Sequence, residues 1–327
     1  MTVFLTGGTG FVGSHLAEAL LARGAAVRAL VRTDARWLRG QPVQTVRGDL
    51  FDVEALREGL RGADVVFHIA GLTRAPDAAA LERANVEGTV RLLDAAAEAL
   101  GAGSPLRRVV VTSSLAAVGP SGATPLTEAA PLRPISAYGR SKARMEAAVA
   151  AHALAPYTTV VRPPAVYGPR ETDIFTMIRT ADRQRVFPVV GDGRTPRLDL
   201  VYVRDLVAGL LAAAEAEAAA GETFFLGGAH GYAWDEIHAA VAEALGHRVL
   251  RVPVAPVLVR PIGALVEGVG RLAGRYPPLN REKAAEAAEA WLASSAKAAR
   301  LLGYAPAVSL REGMRETVAW YRAEGWL

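Results

Sequence analysis

A glycine-rich loop near the start of the chain constrains the fold more than any other stretch. The residues T-G-G-T-G-F-V-G, Thr6 to Gly13, follow the strand-like run V-F-L-T and precede an apolar helical pattern from Ser14 to Arg23. Glycine lets the backbone turn tightly and approach a pyrophosphate, whose charge the positive end of the helix then stabilises. Strand, loop and helix in this order favour a dinucleotide-binding site over a turn without a ligand.

The first half of the chain alternates short apolar runs with longer, alanine-rich helical patterns. Helical stretches separate runs such as D-V-V-F-H-I-A, R-V-V-V-T-S-S and T-T-V-V-R-P-P. This alternation is typical of a parallel sheet with helices on both faces. We therefore expect an α/β protein with a Rossmann-type doubly wound parallel sheet and a smaller, mostly helical C-terminal domain that binds the substrate.

The alternation breaks after Gly168, where a helical stretch and the run V-F-P-V-V-G-D-G-R interrupt it. The runs L-D-L-V-Y-V and T-F-F-L-G-G follow, and we expect both to rejoin the first sheet. This predicts a dinucleotide-binding domain over residues 1–167 and 197–229. The remaining residues, 168–196 and 230–327, form the predicted substrate-binding domain.

The composition argues against several classes of function. The 327 residues include 37 Lys and Arg and 33 Asp and Glu, and a net charge of +4 gives little support to nucleic-acid binding. There is no cysteine, and the six histidines do not cluster, so we expect no metal site. We also expect no signal peptide and no integral membrane segment, because the apolar run Leu206 to Ala220 is short and contains glutamates. A cytoplasmic location fits.

The second strand, V-R-A-L-V, is expected to end near the adenosine ribose of the dinucleotide. Arg32 follows this strand, and a guanidinium suits the 2′-phosphate of NADP, whereas a carboxylate would select NAD. We therefore expect NADP, with NAD as the alternative if Asp34 takes the role of that carboxylate. Asp49, in the run G-D-L, is either an acceptor for the adenine amine or an ordinary turn residue.

A tyrosine and a lysine four residues apart, in Y-G-R-S-K, indicate chemistry beyond cofactor binding. On a helix, Tyr138 and Lys142 share one face, so the ammonium can lie beside the phenol and lower its pKa. Ser113 and Ser114 end the run V-V-V-T-S-S, at the edge where open α/β sheets bind ligands. A hydroxyl there can hold a substrate oxygen while Tyr138 exchanges a proton with it. Ser114 alone would equally suit a helix or turn cap.

Together these motifs resemble the extended short-chain dehydrogenase/reductase family, the NAD(P)-dependent epimerases and dehydratases. They occur in the family's order over nearly the whole chain: T-G-G-T-G-F-V-G, G-D-L, H-I-A-G at His68, N-V-E-G-T at Asn85, T-S-S, Y-G-R-S-K, R-P-P-A-V-Y-G-P at Arg162, and L-G-Y-A-P. The resemblance implies Ser114, Tyr138 and Lys142 as the catalytic residues, with Lys142 also binding the nicotinamide ribose. The dinucleotide-binding residues expected from the loop, the strand ends and the resemblance are Gly7, Gly10, Phe11, Val12, Gly13, Arg32, Asp49, Leu50, Ala70, Gly71, Lys142, Pro163 and Val166.

One departure from the family pattern bears on the substrate. Nucleotide-sugar epimerases and dehydratases of the family usually carry an asparagine three residues after the arginine of R-P-P-A, where it contacts the substrate diphosphate, but this chain has Ala165. The segment looks more like the dihydroflavonol-reductase and 3β-hydroxysteroid-dehydrogenase branch, whose substrates are less charged. Val166 and Tyr167 would then contribute an apolar wall beside Ser114. Three arginines are either candidates to bind a substrate phosphate or residues of a solvated loop: Arg170, Arg194 and Arg197.

The stretch from Arg251 to Pro278 combines an apolar stripe with spaced arginines. Such a stripe can cap an apolar substrate or contact a membrane surface, but most often it packs in the core.

The sequence predicts an NAD(P)-dependent oxidoreductase that interconverts a secondary alcohol and a ketone on a small, rather apolar substrate, with Tyr138 as acid and base. One alternative is a nucleotide-sugar epimerase or dehydratase. Another is a dinucleotide-binding regulator without turnover, against which the intact set Ser114, Tyr138 and Lys142 argues. The expected partners are a small-molecule substrate and, by analogy with the family, a second copy in a homodimer.

Overall fold

The computed structural model describes residues 1–272 and 281–327. The strands are β1 (Thr2–Thr6), β2 (Ala26–Val31), β3 (Gln44–Arg47), β4 (Val65–His68), β5 (Arg108–Thr112), β6 (Thr158–Arg162), β7 (Ala165–Tyr167), β8 (Val186–Val190), β9 (Arg197–Tyr202), β10 (Thr223–Phe225), β11 (Gly231–Ala233) and β12 (Leu250–Val254). The α-helices are α1 (Phe11–Ala22), α2 (Val53–Leu60), α3 (Ala78–Glu82), α4 (Gly88–Gly101), α5 (Ala137–Ala151), α6 (Asp173–Gln184), α7 (Val203–Glu215), α8 (Trp234–Leu245), α9 (Pro256–Leu272), α10 (Arg281–Ala287), α11 (Ala296–Leu302) and α12 (Leu310–Ala323).

Seven of the described strands form one sheet in the order β10-β6-β5-β4-β1-β2-β3, and all its neighbouring pairs are parallel. The order steps outward from β1 in both directions, which is the doubly wound arrangement. Successive residues of β4, Val66 and Phe67, belong to two separate hydrophobic clusters, one on each face of the sheet. Because helices cover both faces, the central strands are apolar throughout. The predicted fold class is confirmed.

The later strands only partly follow the expectation. The run T-F-F, in β10, rejoins the large sheet beside β6, as predicted. The run L-D-L-V-Y-V does not, because β9 pairs instead with β7 and β11 in a sheet of three strands. The apolar run alone could not distinguish these pairings, since any buried strand shows it. The division into a dinucleotide-binding and a substrate-binding domain stays a proposal.

The stretch from Arg251 to Pro278 lies in β12 and α9, except for residues 273–278, which fall outside the described part of the chain. Core packing accounts for little of it. Val259 is buried, but Val257 is 77% exposed and Leu265 is 69% exposed. Val266 on the same helix lines a cavity, so α9 covers a pocket as well as presenting apolar side chains to solvent. None of the described helices is long and apolar enough to span a bilayer.

Candidate active site

Ser114 lies at the carboxyl edge of the sheet, directly after β5 and Ser113. It begins a 3-10 turn over Leu115–Ala117, and its hydroxyl oxygen accepts a hydrogen bond from the amide of Ala116 at 3.1 Å. Ser114 can therefore both cap the turn and contact a ligand, because the capping hydrogen bond holds its hydroxyl at the carboxyl edge of the sheet, where ligands bind.

Helix α5 carries Tyr138 against this turn. Ser136 caps the helix by accepting from the amide of Gly139 at 3.1 Å. A Cβ atom on Gly139 would lie only 2.3 Å from the carbonyl oxygen of Ala116, so the helix and the turn can touch only because this residue is glycine. The close approach allows a hydrogen bond between the hydroxyls of Ser114 and Tyr138.

The protonation of Tyr138 is set by its surroundings. Burial raises the pKa of the phenol above its usual 10, and the hydrogen bond with Ser114 opposes this rise. The next opposing influence is the charge of Lys283, whose ammonium lies 5.8 Å from the centroid of the Tyr138 ring. The expectation that Lys142 lowers the phenol's pKa is not supported. The phenol therefore carries its proton at neutral pH and can act as an acid.

Lys142 is directed toward the end of β5. Its Nζ donates to the carbonyl oxygen of Thr112 at 2.8 Å and lies 3.7 Å from the sulfur of Met145. Burial lowers the pKa of Lys142 to about 8, and the nearby charge of Glu146 opposes this change. A Cβ atom on Gly71 would lie 3.3 Å from Nζ, so the lysine is close to the segment that follows β4.

Asn85 joins that segment to α5. Its side-chain oxygen accepts from the amide of Leu72 at 2.8 Å, and its amide nitrogen donates to the carbonyl of Leu72 and the hydroxyl of Ser141, both at 2.9 Å. The residue is fully buried in a π-helical turn over Arg83–Glu87. The sequence motif N-V-E-G-T marked this position but gave it no role, because buried hydrogen bonds to backbone leave no pattern in one sequence.

The glycine loop has the shape that a pyrophosphate requires. Gly7 has a φ of +77°, and a Cβ atom on it would lie 2.5 Å from the amide nitrogen of Ala70. A Cβ atom on Gly13 would lie 2.1 Å from the carbonyl oxygen of Gly7. Gly10 caps α1 without a side-chain hydrogen bond, and the first turn of α1 contains no acidic residue. The amides at this helix end can therefore bind an anion, so the loop fits a dinucleotide.

The end of β2 carries both of the side chains that the sequence offers for the ribose of the dinucleotide. Arg32 follows the strand and is exposed. Asp34, the alternative ligand, already accepts a hydrogen bond from the guanidinium of Arg39 at 2.7 Å. Asp49 accepts from the amide two residues further on at 2.8 Å, which is the turn role foreseen for it and leaves its contact with adenine a prediction. Leu50, predicted beside it, is partly buried against the cluster on one face of the sheet.

A cavity of about 840 Å³ opens at this edge of the sheet. The predicted residues that line it are Phe11, Val12, Gly71, Ser114, Tyr138, Lys142, Pro163 and Val166. The other predicted dinucleotide residues (Gly7, Gly10, Gly13, Arg32, Asp49, Leu50 and Ala70) lie in segments that follow β1, β2, β3 and β4. The structure thus brings the three catalytic candidates together in one cavity and leaves the rest along the same edge.

The opposite wall of the cavity consists of residues that no motif identified, apart from Val266, which belongs to the apolar stripe after Arg251. Apolar side chains contribute most of it, including Ile174, Met177, Leu198, Trp234, Val266 and Trp291. Its carboxylates are Glu171, Asp173, Asp199 and Glu286. Burial raises the pKa of Asp199 to about 7. Among the described lining residues the cations are Lys142 and Lys283, and there is no arginine.

Three residues expected to contact substrate lie outside this lining: Tyr167, Arg170 and Arg197. Tyr167 is 2% exposed because its ring packs in the core against the ring of Tyr202. Arg170 pairs with Glu18 of α1 at 2.6 Å, and Arg197 pairs with Glu236 of α8 at 3.2 Å. The structure gives these three expectations no support, since each side chain is held by a neighbour that the sequence did not place beside it, and their contact with substrate stays a prediction.

Comparison with known proteins identifies the family. The model of the NAD dependent epimerase/dehydratase family matches residues 3–227. The chain belongs to this family. The family's members use a nicotinamide dinucleotide, and the resemblance drawn from the motifs is confirmed.

Relatives in this family include reductases and dehydrogenases. Ceramide reductase of Caulobacter vibrioides is 35% identical, over 99% of this chain and 96% of that protein. The 3β-hydroxysteroid-dehydrogenase/decarboxylase isoform 1 of Arabidopsis thaliana is 29% identical, over 96% of this chain and 78% of that protein. The solved structure of MoeE5 in complex with UDP-glucose and NAD superposes with a TM-score of 0.77 at 26% identity, and the match covers 99% of each chain.

Proposed function

We propose that the protein is an NADP-dependent oxidoreductase that interconverts a secondary alcohol and a ketone on a small, rather apolar substrate. The observation that carries the proposal is the wall opposite the glycine loop, which is apolar, includes several carboxylates and has no arginine among its described residues. A diphosphate in a partly desolvated cleft needs charge-assisted donors, and nearby carboxylates would repel it. Similarity to ceramide reductase supports the reduction of an apolar substrate.

The chain's own residues would hold the dinucleotide at several points. Gly7, Gly10 and Gly13 would bind the pyrophosphate through backbone amides, Arg32 would bind the 2′-phosphate, and Lys142 would bind the nicotinamide ribose. When bound in its reduced form, the dinucleotide supplies a hydride to the substrate carbon.

Two hydroxyls would act on the oxygen of the substrate carbonyl. Ser114 and Tyr138 donate hydrogen bonds to it, which stabilises the negative charge that develops as the carbon is reduced. Tyr138 then gives its proton to the oxygen, and the product is the alcohol. The charge of Lys283 stabilises the phenolate left on Tyr138. In the oxidation direction the phenolate removes the hydroxyl proton of the alcohol.

The proposal is tested by measuring NADPH oxidation at 340 nm with aromatic and alicyclic ketones, and by calorimetry with UDP-glucose and UDP-glucuronic acid in the presence of NADP. We expect turnover of at least one ketone and no binding of either UDP-sugar below millimolar concentrations. Micromolar binding of a UDP-sugar, with its epimerisation or dehydration, would move the protein to the nucleotide-sugar branch. If neither ketones nor UDP-sugars are turned over, the result would favour a dinucleotide-binding regulator without turnover.

We also propose that the protein forms a homodimer, which is common among members of the family. Light scattering after size-exclusion chromatography distinguishes it from a 34.4 kDa monomer.

A further inference from the structure

Helix α10 brings an ion pair to the reactive end of the cavity. Lys283 and Glu286 lie three residues apart, and Nζ of the lysine is 2.8 Å from Oε2 of the glutamate. Both side chains line the cavity that contains Ser114, and the lysine is the residue beside the Tyr138 ring. The pair is therefore close to where a substrate carbonyl must bind.

The second carboxylate oxygen of Glu286 is buried without a partner. Oε1 is inaccessible to solvent and makes no hydrogen bond to any described residue. The side chain as a whole is 12% exposed. Its backbone is held as well, since the carbonyl of Glu286 accepts from Nε1 of Trp291 at 2.7 Å. A buried carboxylate oxygen with no donor is costly, so a fixed acceptor at this position indicates a ligand that brings a donor.

A second buried polar atom without a described partner lies in the same lining. It is Nε1 of Trp234, which is a donor only. The remainder of the wall is mainly apolar, with Met177, Leu198 and Val266 among its members. A ligand that satisfies this cavity is thus an apolar body with a small number of polar groups, rather than a sugar with many.

We propose that Glu286 accepts a hydrogen bond from a hydroxyl or amide N–H that the substrate carries within a few atoms of its reacting carbonyl. This inference rests on the proposed function and narrows its substrate class to ketones with such a neighbouring donor. Lys283 neutralises the carboxylate on its other oxygen, so that the acceptor can remain buried. A ketone without the donor would leave Oε1 unsatisfied and would bind less well.

Matched pairs of ketones test the inference. The probes are 2-hydroxyacetophenone and 3-hydroxypropiophenone, each compared with its O-methyl ether, and kcat/KM is measured with NADPH. We expect the wild type to prefer at least one hydroxy ketone to its ether by roughly 10- to 100-fold. In Glu286→Gln the ammonium of Lys283 would hold the amide oxygen, so an NH₂ group would face the substrate and the preference should disappear or reverse.

Glu289→Gln is the matched control. Glu289 follows α10, pairs with Arg260 at 3.5 Å and is 41% exposed, so the wild-type preference should persist. If Glu286→Gln does not fold, as judged by circular dichroism, Glu286→Asp replaces it. The shorter side chain of that variant keeps the charge but moves the carboxylate oxygen away from the substrate. It should reduce the preference for hydroxy ketones mainly by raising their KM.

The outcomes separate the two proposals. Equal use of hydroxy ketones and ethers by the wild type, or an unchanged preference in the Glu286 variant, overturns the inference while ketone reduction itself stands. If no ketone in the set is reduced but simple aromatic or alicyclic ketones are, the inference is again wrong. If the protein reduces no ketone at all, both the proposed function and this inference are wrong.

Discussion

The two walls of the cavity are built in different ways. The side assigned to the dinucleotide combines residues of the cavity lining, Phe11, Val12 and Gly71, with glycines outside the lining that follow β1, namely Gly7, Gly10 and Gly13. The substrate side consists of side chains from α6, β9, α8, α9 and α10, which come from separate parts of the later sequence. In the proposed function, the first side binds the dinucleotide largely through the main chain, whereas the second fits the substrate by the packing of its side chains.

This difference explains what each wall can tolerate. A backbone site depends on close approaches, and few substitutions fit it, because a Cβ atom on Gly13 would lie only 2.1 Å from the carbonyl oxygen of Gly7. A packed apolar wall tolerates replacement by residues of similar volume. We therefore expect changes on the dinucleotide side to abolish function and changes on the substrate side to alter selectivity.

The largest effect on turnover is expected at Tyr138. Tyr138→Phe removes the transferable proton but little volume, so turnover should fall by about 10²- to 10⁴-fold while dinucleotide affinity stays near that of the wild type. Steady-state kinetics and fluorescence titration with NADPH measure the two quantities. Activity retained by this variant would remove Tyr138 from its proposed role.

Gly10→Ala tests the backbone wall. The one described atom within 4 Å of a Cβ at this position is the carbonyl oxygen of Gly7 at 3.3 Å, so the methyl group would point mainly into the ligand's space. Dinucleotide affinity should fall by roughly 10- to 100-fold with little change in Tm. Gly24→Ala, at a positive φ but with open space around it, is the contrasting variant and should cost stability rather than affinity. Normal dinucleotide binding by Gly10→Ala would contradict the proposed approach of the pyrophosphate.

Arg32→Ala tests cofactor selection. Loss of a charge-assisted contact with the 2′-phosphate should reduce the preference for NADP over NAD by roughly 10- to 100-fold. Titration with both dinucleotides gives the ratio, and Arg39→Ala serves as a control because that arginine pairs with Asp34. Equal affinity of the wild type for NAD and NADP would show that the end of β2 has another role.

Lys142→Met should stabilise the protein without its dinucleotide while weakening dinucleotide binding. Burial lowers the pKa of Lys142 from 10.5 to about 8, so below pH 8 the folded state bears the full cost of a buried charge. Between about pH 8 and 10.5 the folded protein releases this proton before the unfolded chain does, and the cost disappears. The gain in free energy of unfolding should thus be largest below pH 8, up to about 3 kcal/mol, and should shrink as pH rises. Urea unfolding at pH 7 and pH 10 measures it, and a variant that is less stable at pH 7 would contradict the expectation.

The smallest effect concerns the substrate wall. Lys283→Met removes a cation beside Tyr138, so the phenol's pKa should rise further and the pH profile of alcohol oxidation should move to higher pH. We expect a shift of roughly half to one pH unit, because Glu286 partly cancels the charge. Lys283→Arg keeps the positive charge and should keep the wild-type pH profile. An unchanged profile in Lys283→Met would show that Lys283 does not influence the phenol and acts through its ion pair with Glu286.

The geometry of the glycine loop and the shared helix of Tyr138 and Lys142 could be predicted from the sequence, whereas the wall opposite them could not. A pyrophosphate loop requires glycine at fixed spacing, and Tyr138 and Lys142 lie on one helix, so these features are local and visible. Lys283 and Glu286 instead look like a solvated helix face within an Ala- and Glu-rich stretch. Only the packing of α10 against the cavity gives them another meaning. The same lack of long-range information placed Arg170 and Arg197 at the substrate, although both pair elsewhere.

The contact between Gly139 and the carbonyl of Ala116 also has a consequence for how new specificities can arise. The carbonyl oxygen of Ala116 occupies the place that a Cβ atom on Gly139 would need, so a main-chain contact limits how closely α5 approaches the turn that begins at Ser114. Substitutions in α6, α8 or α9 are therefore expected to reshape the pocket without displacing the reacting hydroxyls, whereas α10 also holds α5, because the carboxylate of Glu282 accepts from the amide of Ala137 at 3.0 Å. Under the proposed function, a library confined to α6, α8 and α9 is the natural starting point for changing the ketone that the protein accepts.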